Sequence, residues 1–305
     1  MYEIVVIGNP LYNTIAMPDI ETKENLLSGP AVNISHVSAK LGIDNLAIIG
    51  AIGNDYREKM VTDLEYLGVP EYYAVESPQT GGFHIHCEDD GLPVLSLLGR
   101  ARNLRILDIP EEFLDSKYIV LSPAFREIDI ELIEWISNST DAQIVLDTQG
   151  MGRDVDSQGM VFPSSNGGKL EQVLELVDVV KMERPLWRIV TDESDPLLAA
   201  EFLVEHGTDI GIAMLSSMGS VVYDGDEFYI VPMERSSTRN VIAASDAFLA
   251  AFTVGMLQAK NMAERAAFAS GAASIVIEHS CAELSFAQDE LDYRQQSIID
   301  RIVIK

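Results

Sequence analysis

Cysteine is nearly absent from the chain: Cys87 and Cys281 are its two thiols in 305 residues. Two cysteines give no disulfide framework and point to a reducing, cytoplasmic setting. Long apolar runs are missing as well, and none approaches the ~18 residues of a membrane span. Met1-Tyr2-Glu3 carries no basic region or cleavage site ahead of Ile4-Val5-Val6-Ile7. That stretch is therefore expected as a buried strand and not as a leader. Basic residues are scarce: 21 Lys and Arg stand against 48 Asp and Glu, a formal net charge of −27. A surface so acidic repels nucleic acid phosphates and anionic lipids, so neither is an expected partner. Any anionic ligand must be held by local donors against the global field. The first apolar run ends at Gly8-Asn9-Pro10, which does not open a G-x-G-x-x-G fingerprint. This disfavours a nicotinamide-dependent Rossmann enzyme. No internal repeat, low-complexity tail or dividing linker is visible.

What is present is an alternation of short strands and helices. Ile4–Ile7 reads as a strand, 11–27 as extended or edge structure, and a helix follows Ser28-Gly29-Pro30-Ala31-Val32-Asn33 with Ile34, Val37, Ser38 and Leu41 inward. Gly42 is its stop. Leu46–Ile49 is a strand leading to Gly50-Ala51-Ile52-Gly53-Asn54-Asp55, and a second helix runs to Leu67-Gly68. Strand, helix, strand, helix with short connections is the grammar of a parallel sheet covered on both faces.

Between about 72 and 105 the period changes to two. Phe83, Ile85 and Cys87 alternate with His84, His86 and Glu88, Asp89-Asp90-Gly91 turns, and Val94–Leu98 returns. This predicts a hairpin projecting from the main body. The two histidines share an exposed face without a matching ligand set, so they are not expected to bind metal. The βα rhythm then resumes. Strands are expected at Tyr118–Leu121, Ile144–Leu146, Val179–Lys181 and Ile210–Leu215, with a second hairpin over Val221–Val231. Helices are expected around Ile128–Ile136, Leu170–Val177, Leu197–His206 and 262–278, and a long loop over 150–168. Arg100, Arg102 and Arg105, and likewise Lys181 and Arg184, read as surface ion pairs.

The stretch Asn240-Val241-Ile242-Ala243-Ala244-Ser245-Asp246-Ala247-Phe248 carries the most chemistry. It reads as a loop opening onto a helix, with Ala247, Phe248, Ala251, Phe252, Gly255 and Met256 at helical intervals. Small residues let backbone approach a ligand. The free N–H groups of a helix start favour an anion, and Asp246 lies in the first turn. A carboxylate beside an anion cradle suits a base that activates a hydroxyl toward phosphate. The plainer alternative is that Ser245 or Asp246 merely caps the helix.

Several segments, in order, resemble the ribokinase-like (PfkB) carbohydrate kinase family. Ser28–Asn33 resembles its G-G-x-x-x-N turn, Gly50–Asp55 its G-x-x-G-x-D segment, the 83–98 hairpin its lid, Leu215–Asp226 its strand–loop–hairpin, Asn240–Asp246 its D-T-x-G-A-G-D signature, and Phe268–Ser274 its adenine-side helix. The resemblance implies a three-layer α/β/α fold with a mainly parallel central sheet. It implies one domain over 1–305 with a small β-sheet lid from about 11–27 and 72–105. It also implies an ATP- and Mg²⁺-dependent kinase acting on a hydroxyl of a sugar, sugar acid or nucleoside. Asp246 would be the base, and Ala243, Ala244 and Ser245 the anion hole. Asn13, Gly29 and Asn33 would contact the acceptor; Ser216, Gly219, Ser270 and Ala273 the nucleotide; Glu183 is the candidate near the metal.

The chain departs from the family pattern at identifiable places. Gly-Ala-Gly-Asp is Ala243-Ala244-Ser245-Asp246, the acceptor-binding aspartate is Asn13, and the signature opens with Asn240. Asn-x-x-Glu corresponds to Glu183-Arg184-Pro185-Leu186, without the last carboxylate, and Thr-x-Gly to Met214-Leu215-Ser216. The phosphate side is thus more altered than the acceptor side. The alternative to a kinase is a family member that binds a sugar, nucleoside or nucleotide without phosphoryl transfer. The apolar lid face formed by Phe83, Ile85 and Cys87 suggests a homodimer through the lid.

Overall fold

A computed structural model of the chain describes residues 1–17, 20–87, 93–165, 170–234, 243–278 and 286–305. The Asp89-Asp90-Gly91 turn, Asn240 and Cys281 lie outside the described residues.

Strand β1 (Tyr2–Ile7) shows how the layers arise. Ile4 and Val6 enter one core, and Val5 and Ile7 enter a second core on the opposite face. Period-two alternation of all-apolar residues requires cover on both sides of the strand. The lid strands β2 (Leu11–Met17) and β3 (Ile20–Ser28) come next. Helix α1 (Pro30–Lys40) starts with proline in its first turn, where the missing N–H costs nothing. Its N-cap Gly29 has φ +103°, and a Cβ there would lie 2.9 Å from the Leu11 side chain.

Strand β4 (Leu46–Gly53) runs straight through the Gly50–Gly53 segment expected to follow it. Helix α2 (Arg57–Leu67) ends at left-handed Gly68 and leads to β5 (Glu71–Ser77). The lid resumes with β6 (Gly82–Cys87) and β7 (Pro93–Gly99). Then come β8 (Ser116–Leu121), α3 (Ile130–Ser139) and β9 (Gln143–Asp147). The expected 150–168 loop contains a small antiparallel pair, β10 (Arg153–Val155) with β11 (Val161–Pro163). Where a helix is expected around Leu170–Val177, Glu171–Leu176 is a 3₁₀ segment. Six residues form too short a span to favour the α over the 3₁₀ hydrogen-bond pattern.

After β12 (Val179–Met182) come α4 (Arg184–Thr191), α5 (Pro196–Glu205), β13 (Ile210–Met214), β14 (Gly219–Tyr223) and β15 (Phe228–Pro232). Helices α6 (Ala244–Leu257), α7 (Met262–Glu278) and α8 (Gln288–Ile299) and the short β16 (Val303–Ile304) complete the order.

The central sheet has ten strands in the order β16-β15-β14-β13-β12-β9-β8-β1-β4-β5. From β5 to β13 all neighbours are parallel; β14, β15 and β16 are antiparallel. Helices α1, α2, α6, α7 and α8 cover one face, and α3, α4 and α5 the other. This is the ribokinase-like three-layer fold. Helix α6 is buried nearly all round rather than along one stripe, because the sheet, α1 and α7 all pack on it. The chain leaves β1 toward β4 on one side while β8 lies on the other. The sheet's switch point, and the crevice it makes at the carboxyl ends, is thus between β1 and β8.

The lid is a four-stranded sheet in the order β3-β2-β6-β7. Its apolar face, with Leu11, Ile15, Phe83 and Ile85, is covered by Ala124 and Phe125 of the same chain. Phe83 and Ile85, two of the three residues that suggested a homodimer, are therefore buried within the chain. His84 is half-buried and His86 exposed, and no group of acidic, His or Cys side chains suited to a metal occurs among the described residues.

Candidate active site

Strands β9 and β12 are adjacent, and their register places Lys181 directly beside Asp147. Both follow a valine that faces the α6 layer two residues earlier, so both side chains leave the sheet on that side. Each is fully buried. Lys181 Nζ lies 3.1 Å from Asp147 Oδ2 and 3.3 Å from Glu183 Oε1, and donates to Ser245 Oγ at 2.5 Å. The Ser245 hydroxyl in turn donates to Glu183 Oε1. Burial pulls the Lys181 ammonium down, but Asp147, Glu183 and Asp246 outweigh it and hold the pKa above the ordinary range. Lys181 is thus not the surface ion-pair residue that its context suggests. The Glu183 carbonyl accepts the N–H groups of Leu186 and Trp187 as α4 begins. Trp187 is buried and donates its indole Nε1 to the Met214 carbonyl at the end of β13, 3.0 Å away.

Ser245 and Asp246 occupy the first turn of α6, and neither caps it. The N-cap is Ala243, with φ +74° and no side-chain cap bond. Asp246 Oδ2 instead accepts from Asn33 Nδ2 at 2.7 Å, joining the first turn of α6 to that of α1. The Asp246 carboxyl is pushed up to about 6. Burial is the main cause; Lys181 opposes it, Asp147 and Glu183 add to it, and the Asn33 bond opposes it. The N–H groups at the start of α6 have no partner four residues back in the helix. A buried acid, a buried ammonium and an open helix start thus meet at the carboxyl edge of the sheet.

The model of the pfkB family carbohydrate kinases matches residues 2–288. The chain belongs to that family. A cytidine kinase of Thermococcus kodakarensis is 22% identical over 269 residues, 87% of this chain and 92% of that protein. Among solved structures, a pyrophosphate-dependent kinase in the ribokinase family, complexed with a pyrophosphate analog and myo-inositol, superposes with a TM-score of 0.81. It is 20% identical and covers 95% of this chain and 99% of its own. Ribokinase from Thermotoga maritima gives a TM-score of 0.77 at 20% identity, covering 97% and 100%.

In this pfkB chain, Asn33 is bonded to Asp246, and Gly29, the N-cap of α1, accepts the Asn33 N–H at 2.9 Å. Asn13 is buried inside the lid, donating to Ser28 Oγ at 2.8 Å and accepting from the Phe83 N–H at 2.7 Å. Its amide ties three lid strands together. Asp55, from the Gly-x-x-Gly-x-Asp segment, accepts the Thr80 hydroxyl at 2.6 Å, and that hydroxyl oxygen accepts the Gly53 N–H at 3.0 Å. The segment therefore anchors the base of the lid. Ser216 is exposed with φ +56°, and Gly219 closes that loop with φ +110°. A Cβ at Gly219 would lie 2.0 Å from the Val231 carbonyl. Ser270 and Ala273 are buried in α7, and Ser270 Oγ donates to the Pro232 carbonyl at 2.8 Å. Leu186, in place of the family's carboxylate, is buried against Gly152 in the α3–α5 core.

Sequence reasoning did not bring Asp147 and Lys181 together at the candidate site. Strand ends at Asp147 and Lys181 were legible; their juxtaposition needed the β9–β12 pairing.

Proposed function

We propose that the chain transfers a phosphoryl group from ATP to a hydroxyl of a sugar, sugar acid or nucleoside, with Asp246 as the base. The observation that carries this reading is a buried Asp246 in the first turn of α6, hydrogen-bonded to Asn33. In the reaction the acceptor oxygen attacks phosphorus, the bond to the donor's leaving phosphate breaks, and the hydroxyl proton goes to Asp246. Asn33 fixes the carboxylate's orientation. The N–H groups of Ala243, Ala244, Ser245 and Asp246 would line the transferred group, and Lys181, paired with Asp147 and Glu183, holds the Ser245 side chain beside them. Mg²⁺ would be held mainly through the donor phosphates, with the partly exposed Glu183 as a protein-side oxygen, and would screen phosphate charge.

The test is donor- and acceptor-dependent release of ADP, or of phosphate from pyrophosphate, across sugars, sugar acids and nucleosides. Pyrophosphate belongs in the panel because a pyrophosphate-dependent kinase shares the fold. Asp246→Asn is expected to lower kcat by at least 10³-fold with the fold intact; an undiminished variant would refute the assignment.

A second reading has its own support. Lys181 is already neutralised by Asp147 and Glu183, and the Ser245 side chain lies between Lys181 and Glu183 where the family has glycine. A chain built this way could bind a sugar or nucleoside without transferring phosphate. Acceptor binding with no product across both donors would favour it.

A further inference from the structure

Arg153 is a cation that the proposed chemistry leaves unused. It opens β10 six residues after Asp147, and the turn between them is tightly held. The Gly152 N–H bonds the Thr148 carbonyl at 3.0 Å, the Ser164 N–H bonds the Gly152 carbonyl at 2.8 Å, and Leu186 packs where a Gly152 side chain would be. The guanidinium reaches from this turn into the crevice under the lid. Nη1 donates to the Ala124 carbonyl at 2.7 Å, in the loop after β8 at the switch point. The group lies over the Phe83 ring of lid strand β6, 5.2 Å from its centroid. Arg153 thus bridges the acceptor-side lid and the loop at the sheet edge.

Of the neighbouring charges, Arg100 lies over the Phe125 ring and donates to Asn103, and the rest are paired or hydrogen-bonded. Lys181 holds Asp147 and Glu183; Arg102 holds Asp108 through two bonds of 2.6 and 2.7 Å; Arg126 holds Asp154 at 3.1 Å. Glu127, buried in the same crevice, accepts three backbone N–H groups, from Asn9, Ala124 and Phe125. Arg153 has no carboxylate within ion-pair distance among the described residues. It feels Asp147, Asp246, Glu127 and Glu183 only at longer range, and burial lowers its pKa despite them. A half-buried guanidinium with most of its five donors free is an unfinished recognition fork, and its planar geometry matches two oxygens of one anionic group. In a chain of net charge −27, such a cation facing the acceptor pocket calls for an anion to face it.

We propose that Arg153 recognises an anionic oxygen group on the acceptor, a carboxylate or a phosphate ester, which makes the substrate an acidic sugar rather than a neutral polyol or nucleoside. The inference rests on the kinase reading for turnover, but its binding half does not. Phe83 supplies the platform on which the guanidinium lies, and lid closure would desolvate the ion pair.

The experiment compares wild type, Arg153→Gln and Arg153→Lys with gluconate, fructose 6-phosphate, ribose, myo-inositol and cytidine. Initial rates are read with ATP and with pyrophosphate, and calorimetric binding is read without donor. The expected result is tighter binding and lower KM for gluconate or fructose 6-phosphate than for the neutral compounds. Arg153→Gln should raise that KM at least tenfold with kcat within threefold, and Arg153→Lys should recover part of the loss. Which acid responds separates a carboxylate from a phosphate ester. Efficient turnover or binding of ribose, myo-inositol or cytidine, unchanged within twofold in Arg153→Gln, would overturn the proposal. If no acceptor is phosphorylated, the kinase reading fails; acid-selective binding lost in Arg153→Gln still upholds the recognition site, and its absence overturns it.

Discussion

At residue 243 the backbone adopts a left-handed geometry, φ +74°, on an alanine. The related kinases resembled here place glycine in this turn. A Cβ in that region costs roughly 1–2 kcal/mol, which a glycine would not incur, although glycine also gains entropy in the unfolded chain. Ala243→Gly is therefore expected to stabilise the protein by about 1 kcal/mol, read as a small rise in Tm, and to leave the anion-hole N–H in place. A fall in Tm would mean that the turn is held by packing of the methyl group. Asp246 makes the second residue-scale prediction. With its carboxyl near 6, the base is ionised above that pH, so kcat/KM should fall tenfold per pH unit below about 6. Stability runs the other way. The folded-state value lies above the unfolded one, so the contribution is complete below about 4 and lost as pH rises through about 6. Asp246→Asn should thus be more heat-stable than wild type at pH 8, by up to about 3 kcal/mol, with the difference vanishing near pH 4.

Elements decide which residues meet. The period-two and helical patterns made most strands and helices legible, including the lid hairpin and the helix that begins beside Asp246. The pairing of β9 with β12 was not legible, because two strands 32 residues apart carry no local sign of being neighbours. Lys181 therefore looked like one more surface charge, although register puts it in the buried centre of the site. Helix α4 was also missed: its eight residues begin Arg-Pro and follow a motif that drew attention to its side chains instead. The lid base belongs at this scale. Thr80→Val removes the hydroxyl shared by Gly53 and Asp55, leaving the buried Gly53 N–H short of a partner and the exposed Asp55 with one bond fewer, at a cost of about 1 kcal/mol. The lid should loosen, raising acceptor KM about tenfold while donor KM changes little; equal changes in both would show that the anchor supports the whole crevice instead.

For the molecule as a whole, the excess of acidic side chains acts on every anionic ligand before local donors can. Raising ionic strength from 50 to 300 mM screens that field beyond a few ångströms and should lower the KM for an anionic donor. A KM that rises with salt would show that Lys181 and Arg153 dominate at long range as well. Composition foretold this acidity but not where the few cations are concentrated. The buried indole of Trp187 has a consequence of another kind. Its ring nitrogen is bonded to the carbonyl that ends β13, while its backbone N–H is bonded to the carbonyl of Glu183. It thereby joins the two segments that a donor would touch. Trp135 is the one other indole in the chain and stands on α3, so emission from Trp187 can be isolated with a Trp135→Phe variant. The protein thus carries its own optical gauge of the phosphate side, able to register donor binding in the absence of any turnover.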